Sequence, residues 1–472
     1  MTDRRDRLQA WLPDQRWFGG KERHVADITL VDEAVIDDGP PPLVLTVVEV
    51  AYEDGGRHLY HLPLIADEAT VRDAFDEPER LQILGALMAS GATIAARKGE
   101  IRFGGVGLDP LAAPGSTSVR AMGAEQTNTS VVLDEQVIVK LFRRVEIGPN
   151  PDLELTRLLT NEGFENVPAH VGQITYTGTP WGEEVDIDLG IAQQFIPESE
   201  EGWKVTLRAL HKLYDEIHPD DAHEDLVFLT EERAVDILES IDELGDVTAS
   251  MHVALSRAES GDPDFAAEPV EVADLKTWAS NVEEALRRAG EDGSAGANQL
   301  TEAVEVILGR LLTISEAGAK MRIHGDYHLG QVLLTSRGWM AMDFEGEPAR
   351  PLEERRTKQS PLRDVAGMLR SLSYAASAAL FERAEPGSPD WERLQPWAET
   401  WESLARERFT SAYLRRSHEG RWLPADKESL ATMLDVFEID KVLYELRYEA
   451  GHRPEWMRIP LRGLEKILTR GS

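Results

Sequence analysis

The residues with the clearest capacity for chemistry are Asp326, Gln331 and Asp343, which lie five and then twelve positions apart. Phosphoryl transfer from ATP uses one carboxylate to accept the proton of the acceptor hydroxyl. An amide oxygen and a second carboxylate hold Mg²⁺ against the triphosphate. In this arrangement Asp326 is the catalytic base, and Gln331 and Asp343 are the metal ligands. Gln331 stands where protein kinases usually have Asn, so a small shift of the loop must accommodate the extra methylene. The set predicts a phosphotransferase that uses ATP and Mg²⁺.

Two strand-like segments position these side chains. They flank a turn predicted at residues 335–338, and the second segment is the apolar run 339–344. Because a hairpin brings its two ends together, we expect the carboxylates of Asp326 and Asp343 to converge.

His324 and His328 lie on either side of Asp326, four positions apart. Two imidazoles at this spacing also fit a transition-metal site. Zinc, however, needs a third or fourth ligand, and the sequence has neither a cysteine nor an HExxH motif. We therefore expect both imidazoles to orient the loop through hydrogen bonds or to contact the substrate.

Lys140 ends the apolar run 137–140, the place that the phosphate-binding lysine takes on the third strand of a kinase sheet. Its expected partner is Glu154, at the start of a helix predicted at residues 153–160. The alternative is a lysine at a strand edge that extends its charge into solvent.

No glycine-rich phosphate loop is present in the sequence. It has neither a GxGxxG motif before the strands around Lys140 nor a Walker A motif, which excludes a P-loop NTPase. In place of that loop stands the run 126–130. Its members Asn128, Thr129 and Ser130 are the candidates to support a turn over the phosphates. A plain hairpin turn is the alternative.

Further nucleotide contacts are expected at the end of a buried strand predicted within residues 190–197. Its members Gln194, Phe195 and Ile196 are expected to form the hinge between two lobes and to offer backbone groups to adenine.

The chain has 472 residues, 42% hydrophobic residues, no cysteine and a formal charge of −35. This length is enough for two or three hydrophobic cores. The lack of cysteine excludes disulfides, Cys-ligated zinc, iron–sulfur clusters and thiol nucleophiles. The acidic excess argues against nucleic acid and anionic membranes as partners, because both bind clustered Lys and Arg. It is more typical of a soluble protein or of a saline cytoplasm.

Neither membrane insertion nor secretion is expected from the sequence. No apolar run approaches the roughly 20 residues that a membrane helix needs. Residues 1–7 are charged and no apolar core follows them, unlike a secretory signal. We expect a cytoplasmic enzyme.

The local patterns change from strand-rich to helix-rich near residue 200. Strands are predicted at 26–31, 43–50 and 58–64, a helix at 81–91, and a hairpin at 129–142 that turns at Asp134 and Glu135. Helical periodicity follows at 202–215, 231–257, 275–288, 299–319 and 360–383. A β-rich half followed by a helical half predicts an α+β fold with two lobes.

With these motifs, the chain resembles the bacterial maltokinases, of the aminoglycoside-phosphotransferase and eukaryotic-like kinase superfamily. The likeness covers nearly the whole chain. It is carried by the runs 11–21, 128–130, 201–203, 324–331, 343–348, 360–367 and 460–463. A generic phosphotransferase would share only the His-Gly-Asp run and the later Asp.

The resemblance implies a bilobal protein-kinase-like fold with a β-rich cap subdomain over residues 1–95. An intermediate subdomain over 96–200 would complete the N-lobe, and a helical C-lobe over 201–472 would hold the catalytic and sugar-binding site. The implied reaction transfers the γ-phosphate of ATP to the anomeric hydroxyl of maltose, giving maltose 1-phosphate for α-glucan and glycogen synthesis. An association with the enzymes of that synthesis is a further expectation. Carried over by position, Asp326 is the base, Gln331 and Asp343 hold Mg²⁺, and Lys140 contacts the phosphates.

Candidate sugar contacts lie on a helix predicted at residues 437–448. Lys441, Tyr444 and Tyr448 share one face of this helix, since they are spaced i, i+3 and i+7. Aromatic rings suit the apolar face of a pyranose, and phenol and ammonium groups reach its hydroxyls. The alternative is an ordinary Tyr and Lys face at the rim of the core. Glu449 and Arg453 are expected to support the three side chains.

Two other functions fit parts of the sequence. A related kinase for glucosamine or another amino sugar would share the fold, but the run 343–348 favours maltose. A non-catalytic kinase-fold partner protein is disfavoured, because Lys140, Asp326, Gln331 and Asp343 are all present.

Overall fold

The computed structural model describes residues 4–66, 70–108, 111, 118–122, 128–218, 225–257, 263–291, 301–347, 350–418, 420 and 422–470. The chain divides into two compact units. The first is formed by Met1–Thr160 and Pro168–Pro197, and the second by Asn161–Val167 and Glu198–Ser472. Among the described residues, no helix is long and apolar enough to cross a membrane.

The first unit consists mainly of two antiparallel sheets. Its described helices are α1 (Arg4–Trp11), α2 (Ile83–Ser90) and α3 (Pro151–Asn161). Its described strands are β1 (Val25–Asp37), β2 (Leu43–Tyr52), β3 (Arg57–Ala66), β4 (Val71–Asp73), β5 (Thr93–Ala95), β6 (Gly99–Gly105), β7 (Val119–Ala121), β8 (Asn128–Leu133), β9 (Val137–Phe142), β10 (Arg144–Val145), β11 (His170–Gly178) and β12 (Val185–Gln194). One sheet has the order β1-β2-β3-β10, with β4 beside β3. The other has the order β5-β6-β11-β12-β9-β8-β7.

Strand β2 shows why this unit packs as it does. Leu45 and Val47 belong to one hydrophobic cluster, whereas Val48 and Val50 belong to another. Both faces of the strand are therefore buried, which explains why it is almost continuously apolar instead of alternating with polar residues.

The second unit is mostly helical. Its described helices are α4 (Gly202–Asp215), α5 (Leu226–Arg233), α6 (Val235–Ser256), α7 (Val272–Glu291), α8 (Thr301–Leu311), α9 (Leu352–Arg355), α10 (Leu362–Arg383), α11 (Pro389–Ser417), α12 (Lys427–His452) and α13 (Arg458–Arg470). Its described strands are β13 (Glu200–Glu201), β14 (Glu268–Pro269), β15 (Ala319–Lys320), β16 (Val332–Thr335) and β17 (Gly338–Ala341). Strands β13, β16 and β17 form one small antiparallel sheet, and β14 pairs with β15. Helix α10 is buried along most of its length and contacts both α11 and α12.

The predicted α+β fold class is confirmed, and both predicted hairpins are present as β8–β9 and β16–β17. Asp134 and Glu135 make the first turn with φ values of 53° and 50°. The helix predicted at 299–319 is too long, because α8 ends at Leu311 and Ala319 pairs in a strand. The helix predicted at 231–257 is interrupted at Ala234, between α5 and α6. The compact units change at Pro197 and Glu198, and a boundary between a cap and an intermediate subdomain at residue 95 stays a prediction.

Candidate active site

Asp326 follows a backbone segment that is held by a buried aspartate. The amides of His324 and Gly325 donate to the two carboxylate oxygens of Asp364, at 2.8 and 2.9 Å. Asp364 is 1% exposed in the first turn of α10, and one of its oxygens lies 3.1 Å from Nε2 of His252. Gly325 has a φ of 84°, a left-handed conformation that favours glycine. Asp364 therefore fixes the backbone immediately before Asp326.

The carboxylate of Asp326 forms an ion pair with Lys441 of α12, whose Nζ lies 3.0 Å from Oδ1. Nε2 of His328 lies 3.7 Å from the other carboxylate oxygen. Burial raises the pKa of Asp326, but Lys441 and His328 outweigh burial and hold this pKa below its usual range. Burial likewise lowers the pKa of Lys441, but the Asp326 carboxylate outweighs burial and raises it. Asp326 is therefore ionised at neutral pH and able to accept a proton.

The hairpin β16–β17 brings Gln331 and Asp343 together. Val332 pairs with Ala341 at the open end of the hairpin, and Nε2 of Gln331 lies 3.1 Å from Oδ2 of Asp343. Asp343 has a φ of 65°, which a non-glycine residue rarely adopts. Mg²⁺ prefers oxygen ligands, and a half-turn of the Gln331 amide would present its oxygen where the nitrogen now points. The chemistry of these two side chains fits a magnesium site.

Lys140 lies in β9 of the first unit, and its ammonium contacts α3. Nζ lies 3.2 Å from Oδ2 of Asp152, in the first turn of that helix. Lys140 is 7% exposed and Asp152 is 1% exposed. Lys140 therefore forms an ion pair with Asp152, which no local sequence pattern marked as a partner. The expected partner Glu154 is also buried, two residues further along the same helix.

Asn128, Thr129 and Ser130 lie in β8, as the hairpin predicted at 129–142 requires of Thr129 and Ser130, and their support of a turn over the phosphates stays a prediction. All three are buried, and Oγ1 of Thr129 accepts a hydrogen bond from Nε of Arg143 at 2.8 Å. This hydrogen bond with Arg143, the residue between β9 and β10, satisfies the buried hydroxyl of Thr129. The preceding Gln126 and Thr127 lie outside the described residues.

The expected adenine hinge is only partly open to a ligand. The amide of Gln194 donates to the carbonyl oxygen of Ala169 at 2.8 Å, and the amide of Phe195 donates to that of Gln136 at 2.7 Å. Both N–H groups are therefore used within the first unit. A contact to adenine from this segment would therefore not use the N–H groups of Gln194 and Phe195.

The two histidines of the catalytic loop differ in accessibility. His324 is 1% exposed, with Nε2 3.0 Å from the carbonyl oxygen of Met342 and its ring centroid 4.7 Å from that of Phe344. The expectation that His324 contacts the substrate is wrong, because its ring is enclosed. His328 is partly exposed, and its Nδ1 accepts a hydrogen bond from the amide of Gly330 at 3.0 Å. His328 therefore orients the loop and remains accessible.

A groove of about 570 Å³ in the second unit begins at Lys441. Its walls include Trp203, His328, Tyr374, Lys441, Tyr448 and Trp456, and we call it the aromatic groove. Lys441 also lines a smaller cavity of about 100 Å³, together with Asp326, Glu347 and Tyr444. Tyr444 and Tyr448 are 41% and 45% exposed on α12. The structure thus places all three candidate sugar residues of this helix beside open space.

Two ion pairs support the helix face that lines the aromatic groove. Arg370 of α10 donates to both carboxylate oxygens of Glu445, at 3.3 and 2.8 Å. Arg453 donates to both oxygens of Glu449, at 2.9 and 2.7 Å, and the hydroxyl of Tyr374 donates to Glu449 as well. The supporting role expected of Glu449 and Arg453 therefore has a geometric basis, since Arg453 pairs with Glu449 and Glu449 joins α12 to α10 through Tyr374.

Several residues of the site were not identified from the sequence. Trp203 and Asp364 lie in the runs 201–203 and 360–367, which carry the resemblance to the maltokinases, but nothing local marked them as functional. Tyr374 and Trp456 reach the aromatic groove from separate elements, so only the folded chain shows that they face a common space.

Comparisons with known proteins identify similar sequences and a similar fold. Residues 11–93 match the family model of the maltokinase N-terminal cap domain. The chain is 26% identical to a glucosamine kinase of Mycolicibacterium smegmatis over 385 residues, which cover 79% of this chain and 86% of the relative. It is also 26% identical to a glucosamine kinase of Streptacidiphilus jiangxiensis, over 75% of this chain and 74% of the relative.

A solved structure of a glucosamine kinase in complex with glucosamine, ADP and inorganic phosphate matches with a TM-score of 0.68. The match has 22% sequence identity and covers 99% of each chain. This likeness shows the fold, and the cap-domain match bears out the resemblance to the maltokinases. Together the comparisons support a sugar kinase and do not distinguish maltose from glucosamine as its acceptor.

Proposed function

We propose that the protein is an ATP-dependent maltokinase, which phosphorylates the anomeric hydroxyl of maltose to give maltose 1-phosphate. The observation that carries this proposal is the position of Asp326. Its ionised carboxylate is paired with Lys441, and the same lysine lines the aromatic groove. Lys441 thus contacts the candidate base and also lines a groove large enough for a sugar.

The aromatic groove suits a disaccharide. Its volume of about 570 Å³ lies within the range of ligand pockets, roughly 300–1,000 Å³. Tyr448 and Trp456 offer ring faces for the apolar face of a pyranose, and Lys441 and His328 offer polar groups for its hydroxyls. One sugar ring would lie near Asp326 and the other would extend along the groove.

The charges around the groove favour a neutral sugar. Of the carboxylates that line the groove, Glu445 is paired with Arg370 and Glu201 with Lys204, and Glu382 lies 3.0 Å from Nε2 of His211. Lys441 carries positive charge at the position closest to Asp326. An ammonium group on the acceptor would be repelled by Lys441 and would have to compete with these partners for the carboxylates.

In the proposed mechanism Asp326 accepts the proton of the anomeric hydroxyl as that oxygen attacks the γ-phosphorus of ATP, and ADP leaves. The low pKa of Asp326 makes it a weak base, but an anomeric hydroxyl is more acidic than an ordinary alcohol. Gln331 and Asp343 would hold Mg²⁺, which when bound neutralises charge on the phosphates. Lys140 would contact the phosphates from β9. Most of the rate enhancement would come from positioning and charge neutralisation.

Glucosamine phosphorylation is the second candidate function, because the relatives and the structural match described above are named glucosamine kinases. The proposal for maltose is supported by the cap-domain match and by the partners of the carboxylates that line the groove.

The proposal extends to the organisation and setting of the enzyme. Its cap, intermediate subdomain and C-lobe would span residues 1–95, 96–200 and 201–472. The enzyme would act in the cytoplasm, in association with enzymes of α-glucan and glycogen synthesis.

The first test is ATP consumption with and without maltose, measured on the wild type and on Asp326→Asn. Maltose should stimulate ADP formation by the wild type, and Asp326→Asn should abolish the stimulation. Equal ADP formation by both proteins would contradict the assignment of the base.

A further inference from the structure

The strand that carries Lys140 continues directly into the sheet of the cap region. Lys140 lies in β9 of the seven-stranded sheet, and β10 follows after the single residue Arg143. In β10, Arg144 pairs with Tyr60 and Val145 pairs with Leu59, both in β3. A segment of nine residues, 137–145, therefore belongs to both sheets of the first unit.

Arg143 sits at the junction with its guanidinium fully buried. Its exposed fraction is 0%, and Nη2 lies 2.9 Å from Oδ1 of Asp73. The guanidinium carbon lies 4.6 Å from the ring centroid of Trp17 and 5.1 Å from that of Phe75. Nε donates to Thr129 in the neighbouring strand β8. Three residues of the region that matches the maltokinase cap domain thus surround one cation that lies three positions after Lys140.

The backbone around Arg143 is held by the same region. The amide of His61 donates to the carbonyl oxygen of Arg143 at 2.8 Å, and Nδ1 of His61 lies 3.3 Å from the carbonyl oxygen of Phe142. A shift of β9 along its axis would break these contacts and leave the buried guanidinium of Arg143 without the Asp73 carboxylate. Such a state is strongly unfavourable, so the position of β9 is fixed.

We infer that Arg143 is a positioning residue, through which Asp73, Phe75 and Trp17 of the cap region set the position of Lys140. This inference rests on the proposed contact of Lys140 with the phosphates of ATP. It gives the cap region a role in nucleotide binding, although its own residues do not touch the nucleotide in this account.

The test compares Asp73→Asn with Asp32→Asn in the full-length protein. Asp32 is a matched control, because it is also a buried carboxylate of the cap region, with an exposed fraction of 2%. It accepts hydrogen bonds from the amides of Arg97 and Lys98 and from the hydroxyl of Tyr176, none of which lies in β9. Calorimetric titration with ADP and Mg²⁺ measures nucleotide affinity without turnover, and steady-state kinetics gives separate KM values for ATP and maltose.

Asp73→Asn should weaken ADP binding and raise the KM for ATP by about 3- to 10-fold, the range for loosening one contact in a packed chain of contacts. Asp32→Asn should leave the ADP affinity and the KM for ATP unchanged, although it should lower the melting temperature about as much as Asp73→Asn does. The KM for maltose should stay the same in both variants. If Asp73→Asn does not fold, Phe75→Leu loosens the packing on Arg143 without removing a charge, and the same change in ADP affinity is expected. Unchanged ADP affinity in the folded variant, or an equal change in Asp32→Asn, would overturn the inference.

The same experiment separates this inference from the proposed function. A wild-type protein that binds no ADP would contradict the proposed function itself. A wild type that binds ADP, with an Asp73→Asn variant that binds it equally well, would contradict only the role of Arg143.

Discussion

Nζ of Lys441 lies 3.0 Å from Oδ1 of Asp326, although the two residues are 115 positions apart. The candidate base and the helix that lines the aromatic groove are therefore joined by one ion pair. A sugar that contacts Lys441 also alters the charge next to the base, so acceptor binding and proton transfer should be coupled.

Lys441→Met should move the acidic limb of the pH–rate profile to higher pH. Asp326 acts as a base only when it is ionised, and Lys441 holds its pKa below the usual range. Without the ammonium this pKa rises, so activity is lost at a higher pH as the solution is acidified. We expect the limb in kcat/KM to move by about one to three pH units.

The control for this variant is Lys466→Met. Nζ of Lys466 lies 2.6 Å from Oε2 of Glu402, so this lysine also pairs with a buried carboxylate, but it does not contact Asp326. Its removal should leave the pH dependence of kcat/KM unchanged. An acidic limb that stays in place in Lys441→Met would show that Asp326 is not the group that titrates.

Asp326→Asn should lower kcat by about 10²- to 10⁴-fold, the usual effect of removing a general base. Nucleotide affinity should change little, because neither of the proposed metal ligands is altered. Rapid-quench kinetics with ATP and maltose would measure the chemical step, and calorimetry with ADP and Mg²⁺ would serve as the binding control. A kcat close to that of the wild type would remove Asp326 from the mechanism.

Asp343→Asn should raise the Mg²⁺ concentration needed for half-maximal ADP binding by at least about 10-fold. The substitution removes the negative charge from the side chain that lies 3.1 Å from Gln331. The measurement is a calorimetric titration of ADP at several Mg²⁺ concentrations. Gln331→Ala should have a smaller effect in the same direction, because it removes a neutral ligand. An unchanged Mg²⁺ requirement in both variants would exclude Gln331 and Asp343 as the metal site.

Trp456→Ala should raise the KM for maltose by about 2- to 10-fold, as expected for the loss of one aromatic contact. The KM for glucose should change less, because a single sugar ring need not reach this part of the aromatic groove. Trp181→Ala is the control, since Trp181 is 45% exposed and is not one of the residues that line the groove. Equal changes for maltose and glucose would argue against a second sugar ring at Trp456.

Asp364→Ala should destabilise the protein by at least about 3 kcal/mol, because it leaves two buried amides without an acceptor and deprives His252 of its partner. Asp364→Asn keeps one oxygen acceptor and should cost less. Urea unfolding monitored by fluorescence would measure both. If the two variants are as stable as the wild type, Asp364 does not hold the catalytic loop.

Local patterns were sufficient to predict the parts of the site that depend on short-range geometry. The hairpin β16–β17 followed from a turn and two apolar runs, and it places Gln331 beside Asp343 as its pairing requires. Lys140 in a strand and Lys441 on a helix face also followed from periodicity.

The parts that were missed depend on contacts between distant residues. The hydrogen bond by which Arg143 satisfies the buried hydroxyl of Thr129 joins residues 14 positions apart. The ion pair of Lys140 with Asp152 depends on where α3 begins, and helix starts are uncertain by a few residues in sequence patterns. The hydrogen bond between Asp364 and the amide of His324 joins residues 40 positions apart, and no local sequence pattern predicts it.

The most direct test of the account is a competition among acceptors. The wild-type protein would be given limiting ATP and Mg²⁺ with equal concentrations of maltose, glucosamine and glucose. Products would be separated by mass, and the site of phosphorylation would be assigned by ³¹P and ¹H NMR. The account predicts that the main product is maltose 1-phosphate, phosphorylated at the anomeric oxygen. Exclusive phosphorylation of glucosamine would contradict it.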